Sequence, residues 1–271
     1  MADSIELLRA ADGAPIVLHR NGSGETLLLV HGWTLDRRSF DAQAPLAKQF
    51  ELVTFDRRGC GESTAAPNLA AEPADIDRII EHLGGEPVHL LGVSQGARVA
   101  LRFAVQHPGK LRSLILQGAV IDGYDPGLAD EAEIPLVEYR ELALLDRLDE
   151  LRRRWLAHPL MSSETLTPEQ SATLVDMVSR YNASDLLGPA PAAGTVPDLL
   201  GALAGLELPV LLITGARETV ARRANAQKLL ETLPDCREVL LEDCGHLSNF
   251  SRPAAYNHVV QEFIRAVSPD R

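Results

Sequence analysis

The segment Gly92-Val93-Ser94-Gln95-Gly96 constrains this chain more than any other stretch. It follows the apolar run 89–93 and precedes the helical run 97–104, so a single serine joins a buried strand to a helix. Flanking glycines let the backbone turn sharply, hold the serine in a strained conformation and lift its hydroxyl above the sheet. The N-terminus of the following helix favours negative charge developing there. A glycine-rich turn with an incidental serine is the plainer reading, and the strand–turn–helix context argues against it. Ser94 is therefore expected to be a nucleophile.

Around this turn, short apolar runs alternate with helical stretches. Runs 5–8 and 16–18 flank Ala11-Asp12-Gly13-Ala14 and predict an antiparallel hairpin turned by Asp-Gly. Runs 27–30, 51–55, 88–93, 114–116, 210–214 and 238–241 read as fully buried strands, apolar without strict alternation. Helices are expected over 74–83, 96–106, 222–233 and 254–267. The whole predicts a mostly parallel, eight-stranded α/β sheet flanked by helices.

One interval breaks the alternation. Residues 123–208 show helical periodicity without a convincing strand, between the sixth and seventh strands. Leu142, Leu145, Leu148 and Leu151 recur every three residues, with Trp155 continuing the stripe. Thr167-Pro168-Glu169-Gln170 starts another helix, with a capping threonine, proline in the first turn and Gln170 placed to close a capping box. A small loop follows at 188–194. The expected organisation is a core of 1–122 and 209–271 with a helical cap, or lid, at 123–208; a peripheral helical layer remote from any site is the alternative.

Two further motifs carry chemistry. His31-Gly32-Trp33 ends the strand 27–30, where a backbone N–H just after the glycine and the one after the nucleophile can form an oxyanion hole. Those are the amides of Trp33 and Gln95; His31 itself reads as a loop brace. Gly245-His246 lies just past the last strand, and a histidine there reaches the top of the sheet, where strand C-terminal ends gather a site. Of the eight histidines, His246 alone follows a strand near the end of the chain, which makes it the expected general base.

With these residues the chain resembles the α/β-hydrolase family over essentially its whole length. The likeness runs from His31-Gly32-Trp33, through Phe55-Asp56-Arg57-Arg58-Gly59-Cys60-Gly61-Glu62-Ser63 and the turn at Ser94, to Gly215-Ala216-Arg217-Glu218 and Gly245-His246. The branch resembles capped, cofactor-free esterases, lactonases and aminopeptidase-like members, and His31-Gly32-Trp33 is similar to esterases of pimeloyl-type substrates. The resemblance implies the catalytic order nucleophile, acid, histidine. It commonly places aspartate three residues past the glycine after the seventh strand; here that position holds Glu218, so the implied triad is Ser94, Glu218 and His246. Asp122, after the preceding strand, is the rival acid, and Glu218 has an alternative reading as a helix-start carboxylate. Serine at the turn separates the chain from relatives that use aspartate there. Asp56 and its glycine-rich loop read as loop structure.

Composition bounds the partners. A formal net charge of −12 argues against nucleic acid or an anionic membrane surface. Cys60, Cys236 and Cys244 are an odd count without motif spacing, which fits free thiols in a reducing compartment. No run approaches the roughly 18 apolar residues of a membrane span, and no basic leader precedes an apolar core. The expectations are a cytoplasmic monomer or homodimer acting on a small molecule, with no cofactor and no metal, since no ligand spacing is present.

The leading expectation is hydrolysis of a carboxylic ester, thioester or lactone through an acyl-serine. A cofactor-free lyase, synthase or carbon–carbon bond hydrolase using the same triad is the alternative, and a non-catalytic receptor a third. Fifteen Asp and Glu against six Arg and no Lys in 123–208 favour a small to medium, mostly apolar, uncharged substrate. Arg152-Arg153-Arg154 could dock a phosphate or acidic carrier, or be a solvated helix face paired with Asp146, Asp149 and Glu150.

Overall fold

Eight apolar runs become one sheet in the computed structural model, which describes residues 4–10, 12–128, 134–162, 164–188 and 199–268. The strands are β1 (Ser4–Arg9), β2 (Pro15–Gly22), β3 (Thr26–Val30), β4 (Glu51–Phe55), β5 (Val88–Val93), β6 (Leu111–Gln117), β7 (Val210–Gly215) and β8 (Cys236–Leu241), ordered β1-β2-β4-β3-β5-β6-β7-β8. β1 and β2 form the expected hairpin with Arg9 opposite Pro15, and the Asp12 carboxylate accepts the Ala14 N–H at 3.1 Å in the turn. β2 also runs antiparallel to β4; every other pairing is parallel.

The helices are α1 (Glu72–His82), α2 (Gln95–Gln106), α3 (Leu136–Leu144), α4 (Leu148–Leu156), α5 (Pro168–Ser179), α6 (Ser184–Leu187), α7 (Leu200–Leu203), α8 (Val220–Thr232), α9 (Ser248–Ser251) and α10 (Pro253–Val267). Side chains alternate across the sheet, so each central strand feeds two cores. Leu28, Leu90, Leu114 and Leu212 pack with Ile76 and Ile80 of α1, Val99 and Phe103 of α2, and Leu229 of α8. Leu27, Leu91, Ile115 and Leu211 point the other way, onto Phe40 and Leu46 of the 3₁₀ stretch Arg37–Lys48 and onto Tyr256, Val260 and Phe263 of α10. Burying one such side chain contributes about 1.5–3 kcal/mol, so both faces must be covered. The edge strand β8 departs from the expected full burial: only Leu241 is buried along it.

Helices α3 to α7 lie between β6 and β7. The period-three leucine stripe does not form a single helix there. α3 ends at Leu144 and α4 begins at Leu148, with Asp146 at φ 55° between them, which leaves Leu145 66% exposed while Leu142, Leu151 and Trp155 are buried. The second start is as expected: Thr167 caps α5, and its side chain and that of Gln170 satisfy each other's backbone N–H groups in a capping box. Of the expected loop 188–194, residues 189–194 fall outside the described residues. A third apolar cluster joins these helices to the loops at the C-terminal ends of the strands, through Trp33, Leu35, Leu247 and Phe250 on one side and Tyr139, Leu151, Trp155 and Met177 on the other.

Candidate active site

Ser94 follows the fully buried β5 and stands at φ 55°, ψ −116°, a conformation that costs a non-glycine residue about 1–3 kcal/mol. The flanking glycines serve close approach. A Cβ on Gly96 would lie 2.1 Å from the Val30 carbonyl oxygen, and one on Gly92 would lie 2.6 Å from Ala97 Cα. The strain resides in the serine, and the glycines let α2 pack against β3 and β5 tightly enough to impose it. The Ser94 N–H donates to the Gln117 carbonyl at 2.7 Å.

His246, in the loop between β8 and α9, has its Nδ1 2.7 Å from Glu218 Oε2. A carboxylate only accepts, so Nδ1 carries the hydrogen and Nε2 is left bare. Nε2 is buried without a hydrogen-bond partner among the described residues, so it is not bonded to Ser94 Oγ in this conformation. Glu218 leaves β7 just before α8 and also accepts the Thr219 N–H at 2.8 Å. Burial pushes its carboxyl up, but the charge and hydrogen bond of His246, the Thr219 N–H and the charge of Arg222 outweigh this and leave it below the ordinary carboxylate value. Asp122 faces elsewhere: its two oxygens accept from Arg98 Nε at 2.6 Å and Arg102 Nε at 2.5 Å, both on α2. The fold thus brings Glu218, and not Asp122, to the imidazole.

The loop 31–34 closes against Ser94. A Cβ on Gly32 would sit 3.4 Å from Ser94 Cβ, which sets the Trp33 backbone beside the serine. Among the described residues neither the Trp33 nor the Gln95 N–H has an acceptor. His31 braces the loop as expected. Its Nε2 accepts the Arg57 N–H and its Nδ1 donates to the Gly32 carbonyl, each at 2.9 Å. Burial, with help from the Arg57 charge, holds its pKa down at about 3, so the ring stays neutral. Asp56 ties its own loop by accepting the Arg37 and Glu62 N–H groups, each at 2.8 Å.

The indole of Trp33 leaves the sheet and enters the helices between β6 and β7. Its ring is edge-on to Trp155 at 4.9 Å and to Tyr181 at 5.3 Å between centroids. Its Nε1 donates to Asp185 at 2.7 Å, the Tyr181 hydroxyl donates to the other oxygen of Asp185 at 2.7 Å, and Trp155 Nε1 donates to Thr34 Oγ1 at 2.7 Å. Both tryptophans of the chain meet here.

Beside this loop lies a cavity of about 420 Å³, bounded by Thr34, Leu35, Cys60, Ser63, Met177 and Tyr181 among others. Ser94 and His246 do not line it. Leu35, which lines it, has its Cδ1 3.8 Å from the position a Cβ on Gly32 would take, and Ser94 Cβ is 3.4 Å from that same position. The thiol of Cys60 is pushed up to about 12, chiefly by burial, and stays protonated.

A model of the alpha/beta hydrolase fold matches residues 25–253. The chain belongs to the α/β-hydrolase fold family. It is similar, at 30% identity over 87% of this chain and 92% of the relative, to a pimeloyl-[acyl-carrier protein] methyl ester esterase of Klebsiella pneumoniae. A 2-hydroxy-6-oxononadienedioate/2-hydroxy-6-oxononatrienedioate hydrolase of Pseudomonas putida is 27% identical over 97% of both chains. Among solved structures, a thermophilic esterase from Thermogutta terrifontis superposes with a TM-score of 0.79 at 26% identity, covering 98% of this chain and 99% of the other.

Three residues of this hydrolase-fold site carried no mark in the sequence. Gly118, at φ 58°, abuts the Cε1–Nδ1 edge of the imidazole: a Cβ there would lie 2.3 Å from His246 Cε1 and 2.6 Å from Nδ1. Gln117 and Asn249 form a buried amide pair beneath it, at 3.2 Å. A glycine directly after a core strand was the one available sign, and only for Gly118. Among the described residues no group of three His, Cys, Asp or Glu could hold a metal ion, and no helix is long and apolar enough to cross a membrane.

Proposed function

We propose that this chain is a serine hydrolase that cleaves a carboxylic ester, thioester or lactone of a small to medium, uncharged substrate through an acyl-serine intermediate. The observation that carries this reading is the His246–Glu218 pair. It fixes the hydrogen on Nδ1 and leaves Nε2 an unpartnered acceptor, and the serine is held in strained backbone.

In the proposed reaction His246 Nε2 takes the Ser94 proton as Oγ attacks the carbonyl carbon. The resulting oxyanion is held by the Trp33 and Gln95 N–H groups, each such donor being worth about 3 kcal/mol. His246 then delivers the proton to the departing alkoxide or thiolate. Water, deprotonated by the same nitrogen, attacks the acyl carbon and releases the acid and Ser94. Residues 1–122 and 209–271 form the core in this reading, and 123–208 form a cap whose aromatic cluster anchors it to the oxyanion loop.

Charge supports an uncharged substrate. Arg152 is occupied by Asp149 and the Tyr181 carbonyl, and Arg154 by Glu150 and Glu138, the solvated-face reading of the arginine triplet. Beside the cavity Asp176 is bridged by Arg38 and Arg180, and Arg38 also pairs with Asp36, so these two acids and two arginines together carry no net charge.

The Pseudomonas putida relative favours a second reading, hydrolysis of a carbon–carbon bond, because its named substrates carry an oxo group and no ester. A panel of p-nitrophenyl esters of graded chain length, run beside thioesters and lactones with trapping of the acyl-enzyme, decides between them. Burst release of p-nitrophenol and a mass adduct on Ser94 are expected. Turnover of none of these substrates, with no adduct, would leave the carbon–carbon reading.

A further inference from the structure

We propose that Gln117 is a positioning residue that registers His246 against Ser94. The inference rests on the serine-hydrolase reading above.

Ser94 and His246 sit on separate loops, after β5 and after β8, with β6 and β7 between those strands. Gln117, the last residue of β6, touches both. Its carbonyl accepts the Ser94 N–H at 2.7 Å, and its side-chain Nε2 donates to the His246 carbonyl at 2.7 Å. The same amide nitrogen donates to Asn249 Oδ1 at 3.2 Å. The orientation is determined, because both partners of that nitrogen are acceptors. Asn249 is itself fixed, its Nδ2 donating to the Ser39 carbonyl at 2.9 Å and its own carbonyl accepting from Gln43 at 3.0 Å. Directly after Gln117, Gly118 leaves room for the Cε1–Nδ1 edge of the imidazole, which a side chain there would displace. One dipeptide therefore meets the backbone of the nucleophile, the backbone of the histidine and one edge of its ring. Gln117 is 1% exposed, so it acts through its neighbours.

Its two arms separate cleanly. The arm to Ser94 is backbone and survives any substitution, whereas the arm to His246 is side chain. Removing the side-chain donor frees the His246 carbonyl while leaving the turn at Ser94 in place. A displacement of about 1 Å between reacting groups costs on the order of a hundredfold in rate.

The test uses the full chain and a p-nitrophenyl ester. Gln117→Met keeps length and volume and removes the donor. Its kcat is expected to fall about thirty- to a hundredfold with KM within about twofold, and fluorophosphonate labelling of Ser94 to slow in parallel. Gln117→Glu keeps the shape and is the conservative rescue. As a neutral acid its single O–H donates to the His246 carbonyl in place of the amide; ionised, it sets a carboxylate against His246 O and Asn249 Oδ1. The ratio of its kcat/KM to wild type is expected to approach one at low pH and to fall as pH rises, on a limb absent from Gln117→Met. A purely structural role predicts lowered melting temperature, unchanged kcat per folded molecule, and no such limb. Folded variants with wild-type kcat, or equal losses in both without the pH limb, would overturn the proposal. If Gln117→Met fails to fold, the Gln117→Glu ratio decides alone. Ser94→Ala, run in parallel, separates the two readings: an active alanine variant removes the nucleophile, whereas an inactive one beside an unaffected Gln117→Met removes only the positioning role.

Discussion

Glu218 Oε2 lies 2.7 Å from His246 Nδ1, while the carboxylate of Asp122 is enclosed by Arg98 and Arg102. The two acids stand after adjacent strands, β6 and β7, and are spent on different tasks. Glu218→Gln is expected to lower kcat by on the order of 10³–10⁴, because the amide no longer selects the Nδ1–H tautomer. Asp122→Asn leaves two buried-side arginines short of a counter-charge, so it is expected to cost about 3–5 kcal/mol of stability with kcat changed by less than about threefold. Urea unfolding beside steady-state kinetics on both variants checks this, and the opposite ranking would move the triad acid to Asp122.

Backbone strain at Ser94 makes a second prediction. A residue at φ 55°, ψ −116° is relieved by glycine and not by alanine. Both Ser94→Ala and Ser94→Gly should be inactive. Glycine's strain relief of about 1–3 kcal/mol exceeds its unfolded-state entropy cost of about 0.4–1 kcal/mol, so Ser94→Gly is expected to be the more stable by about 1 kcal/mol. Equal midpoints in urea would show that the turn stores no strain.

How much of this was legible beforehand follows from where each feature is encoded. The central strands were readable because strands buried on both faces become continuous apolar runs, as at 88–93 and 210–214, and the first hairpin because Asp-Gly marks its turn. Ser94 and His246 were readable because their chemistry coincides with a local pattern. Glu218 was not: a lone glutamate before a helix looks like a dipole carboxylate, and only the family resemblance singled it out, ahead of its contact with His246. Gln117 was invisible, since its role lies in a hydrogen bond to a residue 129 positions away. The aromatic cluster was hidden for the same reason, being assembled from Trp33, Tyr139, Trp155 and Tyr181. The leucine stripe misled because regular spacing does not reveal a backbone reversal such as that at Asp146.

His31 sets a pH dependence of stability. Its folded pKa is about 3, below the ordinary 6.5, so the unfolded chain binds the proton first and stability falls as pH drops through 6.5 toward 3. Between pH 7 and pH 5 this one ring should cost about 2 kcal/mol. His31→Gln can still accept the Arg57 N–H and lacks the titration. Its urea midpoint should therefore decline less over that range, and parallel declines in both proteins would contradict the assignment.

The contact between the Trp33 loop and the helices between β6 and β7 can be cut without touching the proposed triad. Asp185 takes hydrogen bonds from both the Trp33 indole and the Tyr181 hydroxyl. In Asp185→Ala both donors lose their acceptor while the rings remain packed. Faster proteolysis within 123–208 and a KM raised about three- to tenfold are expected, consistent with lost hydrogen bonds of about 0.5–1.5 kcal/mol each. Unchanged proteolysis and KM would mean that aromatic packing alone seats the helices.

The last prediction concerns the cavity of about 420 Å³ that Ser94 does not line. Leu35 is 5% exposed, borders the cavity and lies one side chain away from the serine through Gly32. If substrate length is limited there, Leu35→Ala joins the cavity to the reaction centre and removes three carbons from the barrier. Short esters should then lose binding contacts, while longer acyl chains gain a room already lined by Met177 and Tyr181. Each methylene newly buried is worth about 0.8 kcal/mol, or roughly fourfold in kcat/KM. The chain-length optimum is accordingly expected to move up by two to four carbons, at about 2–4 kcal/mol of stability for the truncated core residue. An optimum that stays in place while activity on every ester falls alike would show that the cavity does not communicate with Ser94, and that substrate length is set on the His246 side.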